Sequence, residues 1–114
     1  MLLQLCRAKI HRARVTEANL DYEGSISIGP DLLAASTIRA YERVQVVNVN
    51  NGSRFETYVI EGRNGEICLN GPAARLGQVG DIVIIIAYGL LDENDARAVK
   101  PVIARVDAHN HPIK

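Results

Sequence analysis

The sequence predicts a mainly β fold: a small barrel of short strands with one or two helical turns. Three observations predict it. Apolar residues alternate with period two in most segments, the spacing of half-buried strands. Gly and Asn turns such as Asn51-Gly52 and Gly62-Arg63-Asn64-Gly65 interrupt those segments at short intervals. The chain has 114 residues, 47% of them apolar, which suits one domain with one core. Closing the strands into a barrel is the economical choice, because it leaves no unpaired edge.

The first strand is expected over Ala8 to Thr16. Strict alternation puts Lys9, His11, Ala13 and Val15 on one face and Ile10, Arg12 and Arg14 on the other. The polar stretch around Asp21, Glu23, Gly24 and Ser25 breaks that pattern. Pro30 then opens a short helix over about Asp31 to Ala35, since proline is tolerated in a first turn. Val44 to Val49 is rich in β-branched residues, and Asn51-Gly52 is a strong hairpin signal leading to a return strand over Arg54 to Ile60. On that return strand Arg54, Glu56 and Tyr58 face one way, and Phe55, Thr57 and Val59 the other. A strand over Glu66 to Leu69, a tight loop over Asn70 to Ala74 and a buried strand over Ile82 to Ala87 follow. One helical turn within Asp92 to Arg97, a last strand over Val102 to Val106 and a frayed tail from His109 complete the chain.

Composition excludes several classes. Thirteen basic and thirteen acidic residues leave no net charge, and aromatics are only 4%, so neither a phosphate-coating surface nor a base-stacking platform is expected. The longest apolar run, Ile82 to Ala87, is far short of the roughly 20 residues of a membrane-spanning helix. The N-terminus places its basic residues after a very short apolar run, the wrong order for a secretory signal. Cys6 and Cys68 have no ligand-like spacing, so free thiols in a cytoplasmic protein are expected. No metal is expected either: of the three histidines, His109 and His111 sit in the tail, and His11 has no neighbouring ligand at suitable spacing.

Two arrangements could carry chemistry. Ser25, His11 and Asp21 have the residue types of a hydrolytic triad, but Ser25 lacks the strand-turn-helix context of a nucleophile elbow. The segment Tyr22-Glu23-Gly24-Ser25 offers something else. A serine hydroxyl can attack the preceding carbonyl and turn the amide into an ester. β-Elimination then cuts the chain and leaves dehydroalanine, which hydrolyses to a pyruvoyl group and ammonia. Glycine suits the position before serine because it tolerates backbone angles closed to other residues and leaves its carbonyl open. An ordinary Gly-Ser turn is the default where nothing else supports this reading.

The remaining chain supplies that support. Lys9-Ile10-His11-Arg12, Val15 through Ile26, Asn48 through Tyr58, Asn70-Gly71-Pro72-Ala73-Ala74 and Val79 through Ile84 occur in one order and spacing. In these blocks, which span most of residues 9 to 87, the sequence resembles the pyruvoyl-dependent aspartate 1-decarboxylases. The resemblance implies a double-psi β-barrel that cleaves itself between Gly24 and Ser25, into fragments 1–24 and 25–114. It implies a covalent pyruvoyl group made from Ser25, with no pyridoxal phosphate and no metal. The implied reaction takes L-aspartate to β-alanine and carbon dioxide, for pantothenate and coenzyme A synthesis. A homotetramer with active sites between subunits is also implied, with no nucleic acid or membrane partner.

The residue types suit that reaction. Loss of carbon dioxide leaves a carbanion, and a Schiff base between the pyruvoyl ketone and the substrate amine accepts its electron pair. Arg54 is expected to hold a substrate carboxylate through its planar fork, with Lys9 as a second positive charge. Tyr58, on the Arg54 face, is expected to protonate the α-carbon. The family places Thr57 beside the cleavage peptide, where its hydroxyl polarises the Gly24 carbonyl; alternation puts it opposite Arg54, so either the two faces serve different subunits or the strand is bulged. His11 is expected to orient the Tyr22–Ser25 turn or touch substrate. Asn70 can bind substrate through its amide, and Gly71, Pro72, Ala73 and Ala74 offer close backbone approach. Many family members have alanine where this chain has Pro72, which has no N–H, so backbone donors must come from Gly71, Ala73 or Ala74. The alternative is a swapped-hairpin DNA-binding barrel with Arg7, Lys9, Arg12 and Arg14 as its basic strip.

Overall fold

The computed structural model describes residues 1–114. In chain order the elements are β1 (Leu2–Arg14), β2 (Glu17–Asn19), β3 (Ser25–Ile28), α1 (Pro30–Ser36), β4 (Arg43–Asn48), β5 (Arg54–Glu61) and β6 (Ile67–Asn70). A 3-10 turn (Gly71–Arg75), β7 (Ile82–Asp92), a second 3-10 turn (Ala96–Ala98), β8 (Val102–Val106) and β9 (Pro112–Ile113) follow. The strands form one sheet in the order β2-β6-β3-β5-β4-β7-β1-β8-β9. The chain itself closes the ring. β1 runs into β2 through Val15 and Thr16, whose N–H groups bond to the carbonyls of Asp81 and Ile67. The mainly β barrel with short helices expected from the sequence is what forms.

The core is aliphatic. Ile10, Ile26, Ile28, Leu32, Val46, Ile67, Leu69 and Ile85 are among its fully buried side chains. Burying each such side chain contributes about 1.5–3 kcal/mol. Alternation holds on β4, where Val44, Val46 and Asn48 are buried and Arg43, Gln45 and Val47 are not. It fails on β1. Register shifts against β7 occur between Cys6 and Ala8 and again between Ile10 and Ala13. At the second, Arg12 takes a left-handed φ of 62°, which costs a non-glycine residue on the order of 1 kcal/mol. The buried set therefore switches parity: Ala8 and Ile10 point inward before the bulge, Ala13 and Val15 after it. Lys9 and Ala13, expected on one face, lie on opposite faces.

Three other expectations change. β1 and β7 are longer than the hydropathy pattern indicates, because they pair with each other from Leu2–Asp92 to Arg14–Ile82. The β4–β5 connection is not a two-residue Asn-Gly turn. Gly52 has φ 76°, but Asn51 is not left-handed, and the Asn48 side chain accepts the N–H groups of Asn50 and Asn51 to shape a longer loop. The tail is not frayed. β9 pairs with β8, and Asn110, 2% exposed, bonds the Arg14 N–H, the Arg14 carbonyl and the Gly65 carbonyl.

Candidate active site

β3 lies between β5, its parallel neighbour, and β6, its antiparallel one. Ser25 begins β3 and is 1% exposed. Ile26 pairs with Val59, so continuing the register one step back sets Ser25 abreast of Tyr58 and Gly24 abreast of Thr57. On the other side Ser25 is directly opposite Asn70. Asn70 Nδ2 donates to Ser25 Oγ at 3.0 Å, and Ser25 Oγ in turn donates to the Glu23 carbonyl at 3.3 Å. Neither partner is His11 or Asp21, so no hydrolytic triad forms.

A cavity of about 340 Å³ opens beside this junction. Gly24, Thr57, Tyr58, Asn70, Pro72 and Ala73 line it, with Phe55, Glu56 and Leu76. The structure thus brings together six of the residues singled out in the sequence. The β4–β5 register is unbroken from Arg43–Tyr58 to Val47–Arg54, so no bulge puts Thr57 in the cavity. Thr57 and Tyr58 reach it from adjacent positions of an ordinary strand.

Glycine acts here in an unexpected place. Gly24 is not left-handed, and a Cβ on it would meet only Pro72 Cδ at 3.5 Å, an ordinary contact. The demand for glycine falls on Gly71. Its φ is 66°, and a Cβ there would lie 2.8 Å from the Tyr22 carbonyl oxygen and 2.9 Å from the Gly24 nitrogen and Cα. The first residue of the 3-10 turn is therefore the floor on which the Tyr22–Gly24 turn rests. Pro72 packs its ring toward Gly24 from the same turn.

Other expected residues lie elsewhere in the single chain. Lys9 and Arg54 do not line the Gly24 cavity. They sit on the outward face of the β1–β7–β4–β5 sheet, where Lys9 pairs with Ile86 and Ile86 with Gln45. Arg54 donates to Gln45 Oε1 at 2.9 Å, which also accepts from the Tyr88 hydroxyl at 3.0 Å. Tyr22 is exposed, and Ala74 lines a separate polar cleft with Asn50, Arg75 and Asp81. His11 pairs with Arg105 on β8 and lines a third cavity with Arg12 and Arg14. Partial burial first, then Arg105, Lys9 and Arg12, lower its pKa below the usual histidine value. One chain does not bring it to Ser25. Arg7, one member of the basic strip of the DNA-binding alternative, is tied to the Glu42 carboxylate and to Thr37.

Sequence reasoning missed two polar neighbours of Asn70, namely Ser27 and Cys68. The signal was present as two i, i+2 pairs, Ser25/Ser27 and Cys68/Asn70, but only the β3–β6 register joins them. It also missed Glu56, which lines the cavity and is ion-paired to Arg43. Both cysteines are free, as expected. No helix is long and apolar enough to cross a membrane.

A mainly β barrel with a buried serine after a glycine, an asparagine donor on that serine and a threonine-tyrosine pair beside it defines a candidate enzyme site. Comparison with known proteins identifies the family. The aspartate decarboxylase family model matches residues 1–113. A protein of Thermoanaerobacter pseudethanolicus named aspartate 1-decarboxylase is 52% identical over 111 residues, covering 96% of this chain and 95% of its own length. Proteins with the same name from Desulfitobacterium hafniense and Salinibacter ruber are 56% and 57% identical over 116 residues. Those matches cover 100% of this chain, and 91% and 80% of the two relatives. The chain belongs to the aspartate decarboxylase family.

Proposed function

We propose that this chain decarboxylates L-aspartate to β-alanine and carbon dioxide, after cleaving itself between Gly24 and Ser25 and converting Ser25 to a pyruvoyl group. The observation that carries this reading is the buried Ser25 hydroxyl. It is held by Asn70 at the junction with Gly24, over a cavity that also contains Thr57 and Tyr58.

The self-cleavage balances without an outside oxidant or metal. Ser25 Oγ loses its proton and bonds to the Gly24 carbonyl carbon; the C–N bond breaks and the nitrogen takes a proton. The Ser25 Cα then loses its hydrogen as a proton, and the Cβ–Oγ bond breaks. Gly24 leaves as a carboxylate, ending the fragment 1–24. Water hydrolyses the remaining dehydroalanine, ammonia departs, and a ketone begins the fragment 25–114. Thr57, abreast of Gly24, is suited to donate its hydroxyl hydrogen to the Gly24 carbonyl as charge builds there.

The residues present fit the group. The Gly71 cradle would be filled by any Cβ, which keeps the Tyr22–Gly24 turn seated, and Asn70 supplies a buried amide donor at position 25. The pyruvoyl ketone supplies the electron sink that an amino acid decarboxylation needs. Tyr58, abreast of Ser25, is the candidate donor of the proton that replaces the lost carboxylate. Pro72 and Ala73 wall the cavity. The nearby Glu56 carboxylate, which would repel an acidic substrate, is neutralised by Arg43.

Aspartate needs cations for its two carboxylates, and the Gly24 cavity has none of its own among its lining residues. Lys9 and Arg54 sit on the outward sheet face instead. This separation supports a homotetramer, in which that face of one subunit completes the cavity of another. Tyr22, Ala74 and His11 then belong to the borders of the shared site.

Intact-mass measurement of the purified protein tests the reading. Two fragments, residues 1–24 and 25–114, are expected, with carbonyl-specific labelling on the larger alone. A chain that stays whole and unlabelled after long incubation at elevated temperature would remove the electron sink and with it the proposed activity.

A further inference from the structure

β3 and β6 place Ser25 opposite Asn70 and Ser27 opposite Cys68. Directly opposed residues share a sheet face, and so do residues two apart on one strand. The four polar side chains therefore form a single patch, although Ile26, Ile28, Ile67 and Leu69 on the other face belong to the apolar core. The patch is nearly dry: Ser25, Ser27, Cys68 and Asn70 are 1%, 7%, 3% and 3% exposed.

Within it the Asn70 carboxamide is fully engaged. Nδ2 gives one hydrogen to Ser25 Oγ at 3.0 Å and the other to Ser27 Oγ at 2.9 Å. Oδ1 faces the Cys68 sulfur at 3.1 Å and accepts the thiol hydrogen. A carboxamide can turn over about its last bond and exchange its oxygen and nitrogen. Turned over, Asn70 would present an acceptor to both serine hydroxyls, and Ser25 Oγ would lose its N–H donor. The thiol opposes that state: its contact with Oδ1 would become one with Nδ2, and its hydrogen would be left to the Glu17 carboxylate, its other hydrogen-bond partner. Burial first, then the Glu17 and Glu66 carboxylates, push the Cys68 thiol up to about 11, so it keeps its hydrogen at neutral pH.

We propose that Cys68 and Ser27 are positioning residues for self-cleavage. Cys68 favours the orientation of the Asn70 carboxamide that keeps an N–H on Ser25 Oγ, and Ser27 takes the second hydrogen of that amide group in the same orientation. This rests on the reading that the chain cuts itself at Gly24–Ser25. In that reaction Oγ first sheds its proton to become the nucleophile and later departs on the Gly24 carboxylate. Negative charge gathers on the same oxygen both times, and a donor already in place stabilises it without reorganisation. The Ser25 hydrogen is meanwhile directed at the Glu23 carbonyl, which leaves an Oγ lone pair for the Gly24 carbon.

The experiment times cleavage of full-length, freshly prepared precursor by intact mass, with thermal unfolding recorded for every variant. Ser27→Ala and Cys68→Ala are each expected to slow cleavage about tenfold, the effect of misplacing one hydrogen bond to a reacting oxygen. Cys68→Ser keeps a donor at the same place and is expected to cleave within about threefold of the parent. That rescue, read beside the thermal unfolding of both variants, separates positioning from packing: a packing effect tracks the loss of stability, and a positioning effect tracks the donor. If Cys68→Ala fails to fold, Cys68→Ser and Ser27→Ala carry the test. Variants that cleave as fast as a cleaving parent overturn this proposal alone, as does a Cys68→Ser that is as slow as Cys68→Ala. A parent that never cleaves overturns the self-cleavage reading, and this proposal with it.

Discussion

The Ser25 region and the Lys9–Arg54 face solve different problems with the same sheet. On the β3–β6 patch the side chains of Ser25, Asn70 and Cys68 are buried and paired: hydroxyl to amide, amide to thiol, hydroxyl to carbonyl. On the outward face Arg54 is exposed and held only by Gln45. Buried polar groups are costly unless paired, and the hydrogen bonds of that patch are all made within one chain. The second is a set of charges without a target in the same chain. On the function proposed above, an intramolecular cut would need only the first, and capture of a dicarboxylate would need both. The division gives each region a separate readout, chain cleavage for one and substrate turnover for the other.

The largest effect is expected at Gly71. An alanine there must tolerate φ 66° and bring a methyl group to 2.8 Å from the Tyr22 carbonyl oxygen. The left-handed backbone alone costs about 1–2 kcal/mol, and the Tyr22–Gly24 turn must also lift away from the new methyl group at position 71. Gly71→Ala is therefore expected to slow cleavage by about a hundredfold or more, since a misplacement on the order of 1 Å costs that much in a positioned reaction. Gly24→Ala, which meets only Pro72, is the contrasting control for the fold. Intact mass over time and thermal unfolding check both. Rapid cleavage by Gly71→Ala would show that the turn needs no floor.

Why Gly24 rather than Gly71 draws attention in the sequence follows from what is local and what is not. Period-two patterning and turn residues are local, and they indicate most of the longer strands, the short helix and the barrel class. They do not indicate the short strands β2, β3 and β9, which exist through their pairing with other strands. Thr57 and Tyr58 fall on opposite faces by the same rule, and both reach the cavity because β3 lies beside β5. The parity switch in β1 depends on a bulge at Arg12 that no residue type announces. The ordered tail depends on Asn110 meeting Arg14 and Gly65. The Ser27 and Cys68 contacts depend on a register between strands some forty positions apart. The resemblance supplied candidate site residues, but it could not tell which of them one chain brings together.

Arg54 probes the other half of the comparison. Removing its guanidinium leaves Gln45 bonded to Tyr88 and touches nothing around Ser25. Arg54→Ala is expected to cleave at the parental rate and to raise KM for aspartate roughly 10- to 100-fold. That is the loss of charge-assisted hydrogen bonds worth about 1.5–3 kcal/mol. Steady-state kinetics beside a cleavage time course measures the two effects independently. Impaired cleavage in Arg54→Ala would mean that the outward face takes part in processing, and the division between the regions would fail.

The smallest effect concerns the far end of the turn that carries Gly71. Its exit residue Leu76 presents a carbonyl to the Asn48, Asn51 and Ser53 side chains, and Asn48 also donates to Asp81 Oδ2 at 2.9 Å. That bond, and one from the Gln78 N–H, hold the Asp81 carboxyl below its ordinary value of 3.8. A carboxyl depressed in the folded state adds stability above its unfolded pKa and loses it as pH falls through the folded one. The unfolding temperature should therefore decline as pH drops below 3.8, and the decline should be shallower in Asp81→Asn, which also starts lower at neutral pH. Some slope should survive, because Asp107 is held down in the same way by the His109 and His111 N–H groups. Asp81 anchors the turn from the end opposite Gly71, so its loss weakens the fold without moving the floor under Gly24. Thermal unfolding from pH 3 to 7 with a parallel cleavage assay at neutral pH separates the two; an unchanged acid limb in Asp81→Asn would detach this carboxylate from the stability of the barrel.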